Sequence, residues 1–226
     1  KYFLLVNSFD FGGEIFYHLR YFNGTFYGVG KSLKNVTISD WDYLDGAGDS
    51  APIQRNTLYG YGLICRASGA TVTDFIVENF NYAGPEEGND AYVARNLFMG
   101  GIIGYSVGAN TILNCHTVGI MDSSNVTYTV NSYKPRGGIV GSHYASGNTN
   151  PLIIYRCSSQ YESVARYTVA RNSMSGGIIG ECYASYLYIY DCVAKLKDTD
   201  ICTLNTNITC GGIMALAEAS KKIVIE

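Results

Sequence analysis

Short apolar runs broken by polar corners recur along this chain at a nearly constant interval. Gly100-Gly101-Ile102-Ile103-Gly104, Gly137-Gly138-Ile139-Val140-Gly141, Gly176-Gly177-Ile178-Ile179-Gly180 and Gly211-Gly212-Ile213-Met214 start 37, 39 and 35 residues apart. A weaker copy, Gly60-Tyr61-Gly62-Leu63-Ile64, begins 40 residues before the first, with Tyr61 in place of the second glycine. A period of this size means one supersecondary unit stacked on copies of itself, because a single unit cannot bury its own apolar face.

Aligned on the glycines, the units share three apolar or small columns. Leu33, Val72, Ile112, Ile154 and Ile189 form the first, Val36, Phe75, Cys115, Cys157 and Cys192 the second, and Ile38, Val77, Thr117, Ser159 and Ala194 the third. Just before the second column stand Asn35, Asp74, Asn114, Arg156 and Asp191. Asn and Asp tolerate left-handed backbone and hydrogen-bond locally, so this position predicts a corner between two strands. Inward residues are then three apart across the corner and two apart after it. Asn56, Asn96, Asn172 and Asn207 each lie four residues before a glycine, with Tyr133 in that place before Gly137. Stacked Asn side chains can hydrogen-bond from one layer to the next. Each unit therefore reads as strand, turn, strand, corner, strand and variable loop. The chain reads as one all-β domain, a parallel β-solenoid of about five coils of 35–42 residues. Residues 1–32 form a cap-like entry segment and 33–226 the stacked coils, the last incomplete. Helical repeats are excluded by the glycine pairs, β-branched runs and Thr/Tyr richness.

Composition narrows the function. Charged residues are 15% of the chain, against about 25% in ordinary domains, and the net charge is −3 with no basic stripe, which argues against nucleic acid. No run reaches about 18 apolar residues, so no membrane span is expected in this segment. Lys1 opens directly into Tyr2-Phe3-Leu4-Leu5-Val6 without a signal peptide, and Ile223-Val224-Ile225 ends inside a strand-like run. We read the sequence as an excerpt of a longer protein.

The order of these motifs is similar to that of the GLUG repeat of bacterial surface and secreted proteins. Gly-Gly-Ile-Ile/Val-Gly is followed by an apolar residue and Asn-Cys or Asp-Cys. Upstream stand Phe9-Asp10-Phe11-Gly12-Gly13, Phe22-Asn23-Gly24-Thr25-Phe26-Tyr27-Gly28-Val29-Gly30 and Leu33-Lys34-Asn35-Val36-Thr37-Ile38. The resemblance covers roughly residues 1–226. It implies a right-handed parallel β-helix in large, surface-attached, adhesin-like proteins, with no catalytic residues to carry over.

Candidate chemistry is sparse. Gly104-Tyr105-Ser106-Val107-Gly108 matches a nucleophile elbow, but it fills the slot of Gly141-Ser142-His143-Tyr144 and Gly180-Glu181-Cys182-Tyr183, with no helix expected after it. Gly30-Lys31-Ser32 resembles the end of a phosphate loop, but Thr25 stands where its first glycine belongs. Asp40-Trp41-Asp42-Tyr43-Leu44-Asp45-Gly46 departs from calcium-loop spacing, and Pro85-Glu86-Glu87-Gly88-Asn89-Asp90 reads as a solvated insertion. His18, His116 and His143 read as isolated, and no carboxylate column aligns, so no metal, cofactor or catalytic set is expected.

Seven cysteines show no zinc spacing. Cys115, Cys157 and Cys192 are expected to stack as small buried hydrophobes, with neighbours near disulfide range. Cys202 and Cys210 flank a Thr/Asn-rich segment that a disulfide could close. Sequons occur at Asn23, Asn35, Asn125 and Asn207; a eukaryotic secretory host would glycosylate the exposed ones, an ordinary bacterium none. Tyr186, Tyr188 and Tyr190 alternate with Leu187 and Ile189, offering rings for sugars or a neighbouring protein, with Tyr190 turned partly inward. The expectation is a secreted or cell-surface, non-catalytic structural or adhesive segment. Its open ends would be met by further repeats or other chains, head to tail, and its surface by glycans. The alternative is a β-helix that binds or cleaves polysaccharide.

Overall fold

A computed structural model describes residues 1–39, 59–83, 97–123, 134–145, 150–167, 172–183, 186–198, 201–202, 207–218 and 222–226. It is all-β, with parallel strand pairing throughout the described residues. One five-stranded sheet takes Tyr59–Tyr61, Leu97–Gly100, Lys134–Gly137, Asn172–Gly176 and Asn207–Gly211 in sequence order. A six-stranded sheet takes Leu19–Phe22, Ile64–Ala67, Ile103–Val107, Val140–Tyr144, Ile179–Tyr183 and Met214–Glu218. The third is twelve-stranded and bends at the corner. Thr71–Ala83 is continuous through it, pairing with Asn110–Leu113 before the corner and with His116–Ser123 after it. The glycine pairs occupy the junction between the first two sheets.

Register follows the sequence columns over most of the stack. Val72, Ile112, Ile154, Ile189 and Ile225 are successive partners, as are Val77, Thr117, Ser159 and Ala194. Ile64, Ile103, Val140, Ile179 and Met214 form a further apolar column from the six-stranded sheet, and all but Met214 are fully buried. At the corner Asp74, Asn114, Arg156 and Asp191 all have positive φ, between 49° and 55°. The left-handed geometry read from Asn and Asp is present, and Arg156 adopts it too.

The first repeat departs from the sequence alignment. Phe26, not Leu33, stands beside Val72; Leu33 stands beside Val77 and Ile38 beside Tyr82. The cause is a bulge: Gly28, Val29 and Gly30 lie opposite the single corner residue Asp74, so equal spacing slips the register. The strand Thr25–Ser39 thus begins inside the expected 1–32 entry segment, while Tyr2–Leu4 and Phe9–Asp10 pair with its other edge. The weak glycine copy slips by two residues. Tyr61 partners Met99, which places Gly62 beside Gly100, and Tyr61 packs edge-on against Tyr82 in the core.

Candidate functional site

The six-stranded sheet brings Ala67, Ser106, His143, Cys182 and Ala217 into one register column. There the serine of the apparent elbow meets a histidine that the sequence treats as isolated. Ser106 Oγ lies 2.9 Å from His143 Nδ1. Asn110 Nδ2 donates to Ser106 Oγ at 2.9 Å and to the carbonyls of Ala67 and Val107, while Asn110 Oδ1 accepts from the Ala70 N–H. Nδ1 also lies 3.2 Å from the Ser106 carbonyl, so which of Ser106 Oγ and His143 Nδ1 donates follows the tautomer of the neutral imidazole. Burial drives the His143 pKa down to about 4, against backbone hydrogen bonds with Ser106 and Asn150 that raise it. Ser106 and His143 are both 0% exposed. The strand Ile103–Val107 leads into another strand, Asn110–Leu113. This constellation ties four neighbouring strands together inside the stack and offers no opening to a substrate. His116 is also paired, its Nδ1 2.8 Å from Ser158 Oγ. A period-based alignment could have found the Ser106–His143 pair, since the two residues lie 37 apart, the spacing of their glycine motifs.

The three column cysteines stand as thiols in a regular ladder. The Cys115 N–H donates to Cys157 Sγ and the Cys157 N–H to Cys192 Sγ, both at 3.4 Å. Each Sγ donates to the carbonyl two residues back: Leu113, Tyr155 and Tyr190, at 3.3, 3.4 and 3.2 Å. The hydrogen bond from Cys115 and then burial push the Cys157 thiol up to about 12, and Cys192 is raised by the same kind of contact with Cys157. The side chain of Cys202 lies outside the described residues; that of Cys210 is exposed.

Two outward surfaces present ordered aromatic and polar side chains. Tyr186, Tyr188 and Tyr190 share the outer face while Leu187 and Ile189 are buried; Tyr190 stays on that face, stacked on Tyr188 at 6.2 Å. Lys222 Nζ sits 5.7 Å from the Tyr188 ring centre, and the Arg156 guanidinium 4.8 Å from that of Tyr155, the register partner of Tyr190. The second surface is a groove of about 460 Å³ beside an amide relay. Asn35 Nδ2 donates to Asp10 at 2.8 Å, Asn79 Nδ2 to Asn35 Oδ1 at 2.9 Å, and the Ile120 N–H to Asn79 Oδ1 at 3.1 Å. Asn35 and Asn79 both take positive φ, which gives a second left-handed ladder.

The sequons separate. Asn23 is exposed, whereas the Asn35 amide nitrogen is engaged with Asp10. Asn125 and the side chain of Asn207 lie outside the described residues, as do the 40–46 and 85–90 loops, Asn56, Asn96 and Tyr133. Asn172 and Asn207 are register partners in the five-stranded sheet. Among the described residues no three His, Cys, Asp or Glu side chains gather as a metal site, and no helix is long and apolar enough to cross a membrane. No protein-family model, curated protein or solved structure matches the chain.

Proposed function

We propose that this chain is a right-handed parallel β-helix of about five coils and a GLUG-like structural and adhesive segment of an extracellular surface protein. The supporting observation is the open C-terminal end of the stack. Val193–Asp198, Asn207–Gly211, Met214–Glu218 and Lys222–Ile225 each end a ladder of parallel strands, with one edge unpaired by strand among the described residues. Val193 is 68% and Ile225 48% exposed there. Bare parallel edges with apolar side chains ask for more strands, from further repeats or from another copy, and a heterologous contact of that kind propagates as a filament. Light scattering and electron microscopy over a concentration series test this. Assembly that grows with concentration and is abolished by Val193→Lys with Ile225→Lys is the expected result. A chain that remains monomeric at every concentration overturns the filament reading.

The stacked tyrosines beside Lys222 favour a second reading, a glycan-binding face. Its test is retention on a panel of immobilised polysaccharides, lost when Tyr188 and Tyr190 become serine.

A further inference from the structure

The strands Leu19–Phe22 and Ile64–Ala67 place Tyr21 in register with Arg66 at the N-terminal end of the six-stranded sheet. A cleft of about 720 Å³ opens beside them, lined by Lys1, Arg20 and Arg66, with no Asp or Glu among its described lining residues. This is a local inversion of sign in a chain of net charge −3. Elsewhere Lys34 and Lys197 are paired with Glu78 and Glu162, each at 3.0 Å. Arg66 is held by aromatic faces instead, its guanidinium 5.6 Å from the Tyr21 ring centre and 5.8 Å from that of Tyr105. A guanidinium held on rings keeps its N–H fork for an anion and is only weakly hydrated. His18, largely buried at the cleft wall, is held neutral by burial and by Arg20, its pKa lowered to about 4. Tyr21 is 74% exposed, and Asn23 and Ser68 stand exposed at the cleft.

We propose that this cleft binds an anionic saccharide, with Arg66, Arg20 and Lys1 on its carboxylate or sulfate, Tyr21 against the sugar ring, and Asn23 and Ser68 at its hydroxyls. The volume falls in the range of small-ligand sites, about 300–1,000 Å³. Three cations match one or two acidic sugar groups and fall short of the roughly 6–10 phosphate contacts of strong nucleic-acid binders. The proposal rests on the adhesive half of the reading above and supplies its ligand class.

The test is titration of the folded chain with oligogalacturonate, dextran sulfate, neutral dextran and a short single-stranded DNA. Binding to at least one of the two acidic saccharides and none to neutral dextran is expected; oligogalacturonate alone identifies carboxylate recognition, dextran sulfate alone sulfate recognition. Arg66→Gln and Arg20→Gln should each weaken binding roughly tenfold, the loss of one charge-assisted contact. Lys34→Gln, on another face, should change it by less than about twofold. Affinity of the unaltered chain should also fall steeply with added salt, a readout that needs no variant. Absence of binding, equal binding to neutral dextran, insensitivity to salt or to both arginine changes, or tighter binding to DNA overturns the proposal. Filament assembly is scored on the same samples. An arginine variant that assembles but does not bind separates this site from the structural reading, and a chain that binds but stays monomeric removes only the filament.

Discussion

Gly138 and Ser159 meet with no room for another carbon between them: a Cβ built on Gly138 would overlap Ser159 Oγ and lie 2.5 Å from Ser159 Cβ. The same relation joins Gly101 to Thr117 and Gly177 to Ala194. The second glycine of each pair and the third sequence column are thus one packing device. The glycine side has no side chain, and the facing side stays small. The first glycine has a separate reason, since Cβ atoms at Gly100, Gly137, Gly176 and Gly211 would each collide with the carbonyl three residues on.

Gly138→Ala should therefore destabilise the fold by about 1–3 kcal/mol or more, the usual cost of overpacking. Ser159→Gly in the same chain should recover only part, because the Gly177 carbonyl also blocks the new Cβ. Gly212 offers the internal contrast. Among the described residues nothing lies within 4 Å of the point where a Cβ on it would stand, so Gly212→Ala should be neutral or stabilising by about 0.4–1 kcal/mol. Urea midpoints of the three variants check the order; equal losses at Gly138 and Gly212 would falsify the packing account.

These contacts show which parts of the structure are legible in the sequence. Gly101, Gly138 and Gly177 give a period, and Val72, Ile112 and Ile154 stack as that period demands. Gly28-Val29-Gly30 is not legible, because a three-residue bulge opposite one residue leaves no trace in spacing. Nor is the amide relay through Asn35 and Asn79, which pairs residues 44 apart outside the glycine columns. His143 is a different case: read alone it looks isolated, but it lies 37 residues after Ser106, the spacing of their glycine motifs, so the period sets the two side by side.

Val29 and Arg156 carry left-handed backbone, with φ of 52° each, without being Gly, Asn or Asp. That conformation costs an L-residue about 1–2 kcal/mol, and a β-branched side chain suffers most. Val29→Asn should raise stability by about 1 kcal/mol. Arg156→Asn should gain less, because it gives up the contact with the Tyr155 ring, worth about 0.5–1 kcal/mol at an exposed site. Thermal unfolding should rank Val29→Asn above Arg156→Asn above wild type; a loss at Val29 would show that its side chain contributes more than the strain.

Burial lowers His143 and His18 from 6.5 to about 4, so between those values the unfolded chain binds more protons than the folded one. Stability must then fall as pH drops from about 6.5 to about 4, by on the order of 3 kcal/mol for each histidine. Asp10 and Asp74 are lowered below 3.8 by amide hydrogen bonds, from Asn35 and Asn114 respectively, and their loss belongs to more acidic solution. Denaturant midpoints measured across this window should slope, and His143→Gln should flatten part of the slope. A midpoint constant from pH 6.5 to 4 contradicts the burial of both rings.

Thiol reactivity reports on the cysteine ladder. A thiol raised to about 12, as at Cys157, leaves roughly one thiolate in ten thousand at pH 8, and Cys115 and Cys157 are buried as well. Iodoacetamide should leave both unmodified in the folded chain and reach them only after denaturation. Cys210 is exposed and should label in the native state unless it is bonded to Cys202. Peptide mass mapping before and after reduction distinguishes those two states of Cys210. The ladder has a sharper requirement: Cys157 labelling as fast as Cys210 in folded protein would mean that its N–H and Sγ do not bridge Cys115 and Cys192.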